Sequence, residues 1–253
     1  MTPTPQTLEA ALADHESAWR ERGLLRQVYG DWHRELAARL AAVPGVTVEL
    51  GSGIGQLKEV VPELLTSDVE QTAWADRVID AENLPFDDGT VANVVLVDVF
   101  HHLVRPSAFL DEAQRVLAPG GRVVMLEPYC SPLSTIAYRW FHHEDLDFAG
   151  TGLDENTAIA APLDANIARP TVAFFRNADE VGRLWPGLAI VERSLTSLFL
   201  YILTGGLSRR PLAPSASYRP LRAIERALSF LLPLAAFRCL IVLERRSTGP
   251  AAS

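Results

Sequence analysis

At Pro44-Gly45 the hydrophobic period of the chain changes, and that change constrains the fold more than any other feature. Ahead of it, Leu25, Val28, Tyr29, Trp32, Leu36 and Leu40 recur at spacings of three and four, the period of an amphipathic helix. Beyond it come the short strand-like runs "VTVEL", "LLTSD", "DRVID", "VANVVLVDVF" and "GRVVMLEP". Between the last two, "RPSAFLDEAQRVLAPGG" sets Phe109, Leu110, Ala113, Val116 and Leu117 on one helical face. Pro106 opens that segment and Pro119-Gly120-Gly121 closes it. Strands alternating with helices predict a mostly parallel sheet covered on both faces. "GLAIVERSL" and "FRCLIVLER" supply a last pair of strands. The expected fold is therefore α/β: a doubly wound, mostly parallel, seven-stranded Rossmann-like sheet with N-terminal helices and a helical insert before the last strand. Residues 144–180 read as an acidic, turn-rich insertion.

Composition narrows the function classes. With 48% hydrophobic and 21% charged residues, the 253-residue chain has the make-up of a globular protein. A net charge of −8 argues against general affinity for nucleic-acid backbones, which rests on Lys and Arg neutralising phosphates. Cys130 and Cys239 form no CxxC or metal-ligand spacing and read as reduced core residues. The start, "MTPTPQTLEAALADHE", lacks the basic and apolar regions of a secretory signal. The most apolar stretch, residues 228–243, holds Pro233 and Arg238 and is shorter than the roughly 20 residues of a membrane span. A cytoplasmic protein is expected.

Gly51, Gly53 and Gly55 lie between a predicted strand and the next helical segment, where a backbone free of Cβ atoms can approach a ligand. A dinucleotide fingerprint would need its third glycine at position 56, which is Gln56. Asp68 closes the second predicted strand, 17 residues after Gly51, where a carboxylate can accept from both hydroxyls of a ribose. Asp80 closes the third strand, and His101-His102 follow the fourth. All map to the carboxyl edge of the sheet, where open parallel sheets bind ligands.

On "ELGSGIG", "SD" at 67–68, "DAENLPF", "VDVFHHL" and "RVLAPGGRVVMLEP", spanning residues 46–128, the sequence resembles the class I S-adenosylmethionine-dependent methyltransferases of the small-molecule, bacterial group. The helical period predicts an N-terminal cap over 1–43, and the resemblance implies an S-adenosylmethionine-binding domain over 44–253 that holds the inserts at about 144–180 and 197–235. It implies that Gly51, Ser52, Gly53 and Gly55 approach the amino-acid part of the cofactor, with Glu49 near the ammonium group. Asp68 would hold the ribose hydroxyls, Asp80 the adenine amine, and the Ala81 backbone N–H a ring nitrogen. Asp98, Phe100 and His101 would flank the methionine end. One departure is the short "QLKEVVPE" after Gly55, which demands an unusually brief first helix.

Methyl transfer needs alignment and a dry site, plus a base if the acceptor is a hydroxyl or amine. The candidates are His101, His102, His142, His143 and Glu144, with ordinary packing or solvation as the alternative for each. Neither histidine pair has the H-E-x-x-H spacing, so no metal is expected. Glu127 and Asp87-Asp88 read as structural or solvated, and Tyr129, Tyr138, Trp140 and Phe141 as core or as the wall of an acceptor pocket. The insert at 197–235 carries Arg209, Arg210, Arg219, Arg222 and Arg226 against Glu225. It is compatible with a packed helical element, a lid, or a peripheral membrane contact. The acceptor stays open between a small metabolite and a lipid-linked or glycan intermediate, and a non-catalytic scaffold keeping the fold is the remaining reading.

Overall fold

The computed structural model describes residues 7–141, 145–155, 164–207 and 209–247. Two N-terminal helices, α1 (Leu8–Glu21) and α2 (Gly23–Ala37), precede the sheet. The strands are β1 (Val46–Leu50), β2 (Leu65–Asp68), β3 (Arg77–Val78), β4 (Val91–Val97), β5 (Leu117–Pro128), β6 (Leu188–Thr196) and β7 (Arg238–Arg245). They form one sheet in the order β3-β2-β1-β4-β5-β7-β6. β1 pairs in parallel with β2 and β4, and β4 with β5, whereas β7 is antiparallel to both β5 and β6. Strand order reverses between β1 and β4, the position at which open parallel sheets form a ligand crevice beyond the strand ends.

α3 (Pro106–Val116) carries the predicted apolar stripe, and Phe109, Leu110, Ala113 and Val116 are all fully buried. Its face, with Val94, Leu96, Val123, Met125 and Phe174, builds the core on one side of the sheet. The other side is covered by α2 through Leu25, Val28, Tyr29, Trp32 and Leu36, packed with Val95, Val124, Leu126 and Leu240. The N-terminal helices are thus one of the two layers that cover the sheet. Ion pairs add to this: Arg39 makes a two-pronged bond to Glu192 of β6, at 2.9 and 2.8 Å.

The brief first helix demanded by "QLKEVVPE" is a single 3₁₀ turn over Gln56–Glu59, pinned by fully buried Leu57. Within 144–180 the sequence reading missed regular structure. After α4 (Pro132–Phe141), the short α5 (Arg169–Thr171) runs into a π-turn over Val172–Arg176 and then α6 (Ala178–Leu184), burying Ile167, Val172 and Phe174. The insert forms α7 (Leu200–Thr204), α8 (Tyr218–Ala227) and α9 (Leu232–Ala235). Among the described residues, no helix is long and apolar enough to cross a membrane.

Glu225 shows how the insert is held. Its carboxylate points inward and accepts from the N–H groups of Leu198, Phe199 and Leu200, at 2.9, 3.1 and 3.0 Å, where α7 begins. Those donors have no helical partner of their own. Glu225→Ala should lower the unfolding free energy by about 2–4 kcal/mol; a urea melt indistinguishable from wild type would contradict this role.

Candidate active site

The three glycines form the turn that the sequence required. Gly51, Gly53 and Gly55 have φ of 60, 55 and 71°, the left-handed region that side chains resist. A Cβ on Gly51 would lie 2.6 Å from Val99 Cγ2, so the loop after β1 passes directly against the loop after β4. The turn is tied to β2: Ser52 N–H donates to the Ser67 carbonyl, 2.8 Å, and Ser67 Oγ–H donates to the Glu49 carbonyl, 2.8 Å. Asp68, 6% exposed at the end of β2, accepts from Gly53 N–H, 3.3 Å, and Val69 N–H, 2.8 Å. Burial raises its pKa against the opposing pull of those bonds. Each carboxylate oxygen retains a second lone pair for a hydroxyl donor.

Two polar atoms in this turn are buried without a partner among the described residues, Glu49 Oε2 and Ser52 Oγ. Buried polar groups are nearly always satisfied, so two orphans three residues apart mark the place of a polar ligand. An acceptor-only carboxylate and a hydroxyl suit an α-amino-acid group, whose ammonium donates and whose carboxylate accepts. Burial, reinforced by Asp68, pushes the Glu49 carboxyl up to about 8. The residues here fit the amino-acid end of S-adenosylmethionine, and Asp68 fits its ribose. Asp80 and Ala81 stand farther along the same edge, after β3. Asp80 closes a short turn by accepting from Glu82 N–H, 2.8 Å.

The loop after β4 carries the second half of the site. Asp98 adopts a left-handed φ of 58° and is paired with Arg238 at the start of β7. Arg238, 6% exposed, lies under the rings of Trp32 from α2 and Tyr201 from α7, at 5.5 and 4.7 Å. Glu127, fully buried at the end of β5, accepts through Oε1 from Val99 N–H, 2.9 Å, and Phe100 N–H, 2.8 Å. Its Oε2 lies 2.6 Å from His101 Nδ1. Burial pushes the Glu127 carboxyl up to about 7, although the two backbone donors oppose this. His102 is half-buried, donates from Nδ1 to the Asp164 carbonyl at 2.9 Å, and is held down at about 4 by burial and by neighbouring His101.

One sequence expectation needs correction here. The Phe100 ring does not face the methionine end; it is fully buried between Phe109 and Phe174 in the core, because the 3₁₀ turn over Phe100–His102 rotates it beneath the sheet. Phe100 reaches the site through its backbone N–H alone. Glu127, read as structural or solvated, is structural: fully buried, it organises this loop. His142, His143 and Glu144 lie outside the described residues. Asp98, His101 and Glu127 bring ligand atoms within 4.8 Å of one another, a spacing that would suit a cation. Arg238 and the loop N–H groups already supply positive charge to two of them.

The fold and the site define a Rossmann-like domain built for an adenosine cofactor. Residues 48–125 match the family of the methyltransferase domain. A demethylmenaquinone methyltransferase of Lactiplantibacillus plantarum is 32% identical over 114 residues, 44% of this chain and 47% of that protein. An uncharacterised 37.1 kDa transposon protein of Streptomyces fradiae is 27% identical over 158 residues, 58% of this chain and 46% of that protein. The chain spans about half the length of these curated relatives. Among solved structures, a S-adenosylmethionine-dependent methyltransferase from Archaeoglobus fulgidus superposes with a TM-score of 0.54 at 12% identity, covering 87% of this chain and 94% of that one. Residues 48–125 are thus similar to a methyltransferase domain, and the fold of the chain is that of a Rossmann-like methyltransferase.

The raised Glu49 pKa has a defined sign. Stability linked to this group is full below its ordinary value of 4.5 and is lost as pH rises toward about 8. Glu49→Gln should therefore stabilise the ligand-free protein at pH 8 by on the order of 2–4 kcal/mol, a gap that closes near pH 4.5. The same variant should bind S-adenosylhomocysteine at least about tenfold more weakly. Melting curves across pH with calorimetry check both; a variant that is destabilised at pH 8 would show the carboxyl is already ionised and partnered.

Proposed function

We infer that this protein transfers a methyl group from S-adenosylmethionine to a small-molecule acceptor with a hydroxyl, amine or carbon nucleophile. The observation that carries the reading is the pair of buried, unpartnered atoms, Glu49 Oε2 and Ser52 Oγ, at the same carboxyl edge that carries the His101–Glu127 pair. When bound, the cofactor supplies a sulfonium methyl open to in-line displacement. The chain's part is to hold and to align. Glu49 and Ser52 anchor the amino-acid end, Asp68 the ribose, and Asp80 with the Ala81 N–H the adenine. The left-handed glycines allow the backbone to lie against the ligand.

His101 is the base in this reading. With Glu127 Oε2 accepting from Nδ1–H, the ring is fixed in the tautomer whose Nε2 carries the basic lone pair. An acceptor O–H or N–H within reach loses its proton to Nε2 as the new bond forms, and Glu127 stabilises the imidazolium. Glu127 is thus a positioning residue. Asp98, fixed by Arg238, holds the loop that carries His101 in place. The relatives named for menaquinone methylation favour an apolar acceptor.

Calorimetry with S-adenosylhomocysteine, using NADH as control, tests the cofactor half. Binding of the first alone is expected, and Asp68→Ala and Asp80→Ala should each weaken it tenfold or more, the loss of about 1.5–3 kcal/mol. Binding of neither compound would move the protein to the scaffold reading. With labelled S-adenosylmethionine and a panel of hydrophobic acceptors, His101→Ala and Glu127→Gln should lower kcat about 10²-fold or more while leaving cofactor affinity within about twofold. Loss of cofactor binding in His101→Ala would instead assign that residue to the cofactor pocket.

A further inference from the structure

Helix α4 leaves an unusual face to solvent. Leu133, Ile136 and Trp140 are 55, 57 and 78% exposed, and their spacing places them along one side of the helix. Its other side is fixed: Ser134 is buried, and Tyr138 donates its hydroxyl to the Phe237 carbonyl, 2.8 Å, just ahead of β7. α9 packs against α4. From α9 and the segment leading to it project Leu234, 55% exposed, Phe230, 72% exposed, and Ile224, 49% exposed. Single exposed hydrophobic residues are ordinary, but a run of them on adjoining elements marks an interaction surface.

The charges beside these residues are one-sided. Arg139, Arg219 and Arg226 are exposed and enter no ion pair among the described residues. Glu225, the acid of the same segment, is turned inward onto the start of α7, and Arg222 is paired with it and with Asp31. A chain of net charge −8 thus carries exposed cations on α4 and α8, two of the elements that present the apolar side chains. Aromatic and aliphatic side chains ringed by arginines complement an anionic lipid surface, which attracts the cations and accepts the apolar groups at its headgroup boundary.

We propose that α4, α8 and α9 form a docking surface for an anionic lipid bilayer, with Trp140, Phe230 and Leu234 entering the interface and Arg139, Arg219 and Arg226 meeting lipid phosphates. The position of this surface gives it a use. α4 follows Pro128 at the end of β5 and α9 precedes Arg238 at the start of β7, and these two residues are paired in the sheet. The surface therefore borders the carboxyl edge that carries Asp98, His101 and Glu127. Docking turns the acceptor side of the crevice toward the bilayer, the arrangement suited to an acceptor dissolved in lipid. The proposal rests on the exposed side chains and stands independently of the methyl-transfer reading.

Co-sedimentation with phosphatidylcholine vesicles doped with phosphatidylglycerol tests it. Wild-type protein should bind these vesicles at low ionic strength, and at least about tenfold more weakly when phosphatidylglycerol is omitted or salt is high. Trp140→Glu with Phe230→Glu should abolish binding, and Arg219→Gln with Arg226→Gln should weaken it about tenfold or more. Both double variants should keep the wild-type melting temperature and affinity for S-adenosylhomocysteine. Failure of the wild-type protein to bind anionic vesicles, or variants that bind as it does, would overturn the proposal. So would a dimer on gel filtration that Trp140→Glu dissolves, since a second copy would then own the face. Vesicle binding without any cofactor binding would defeat the methyl-transfer reading and leave the docking surface standing.

Discussion

Burial of carboxylates at the carboxyl edge of the sheet is the constraint on which the site depends. Glu127 is the central case. The loop after β4 turns too sharply to satisfy its own Val99 and Phe100 N–H groups within the sheet, and an ionised or shared carboxylate from the neighbouring strand accepts both. The cost of taking that carboxyl out of water is seen in its upward shift. Its other oxygen then meets His101. One side chain shapes the loop and orients the histidine, so the fold and the chemistry share a single set of hydrogen bonds.

Arg238 extends the same logic to the rest of the chain. Its guanidinium balances Asp98, and its surroundings come from elements far apart in sequence: Trp32 on α2, Tyr201 on α7 and β7 itself. Asp31 of α2 in turn accepts from Arg222 and Tyr218 of α8. The N-terminal helices and the late insert are therefore joined to each other and to the wall of the crevice. Their packing leaves little freedom for the insert to act as a lid hinged on the sheet, because Leu200 and Glu225 are buried in the core it covers. What remains exposed of that insert, and of α4, is the apolar and cationic face beside the acceptor side.

Much of the architecture was legible from local pattern. The strand-like runs, the helix over Pro106–Val116 and the brief turn after Gly55 follow from apolar period and from glycine and proline punctuation, which act within a few residues. The glycine turn was legible because left-handed backbone selects glycine, and Asp68 because a strand end fixes where its last side chain stands. The helical content of residues 169–184 was hidden by the acidic, turn-rich stretch around it. Its apolar residues gain their meaning only in the tertiary structure, where Phe174 packs on Phe100 and Val172 joins a separate cluster with Cys130 and Ile167.

The amino-acid sequence by itself determined which residues reach the carboxyl edge, since the position and length of each strand along the chain follow from short-range periodicity. It did not determine which of them meet. The Glu127–His101 bond depends on the register of β5 against β4, the Asp98–Arg238 pair on the antiparallel return of β7, and the inward turn of Phe100 on the 3₁₀ geometry of one loop. The first two are contacts between segments tens of residues apart, and the third is a loop held against the core by Phe109 and Phe174. Spacing along the chain carries no record of such distances, so only the tertiary structure could decide them.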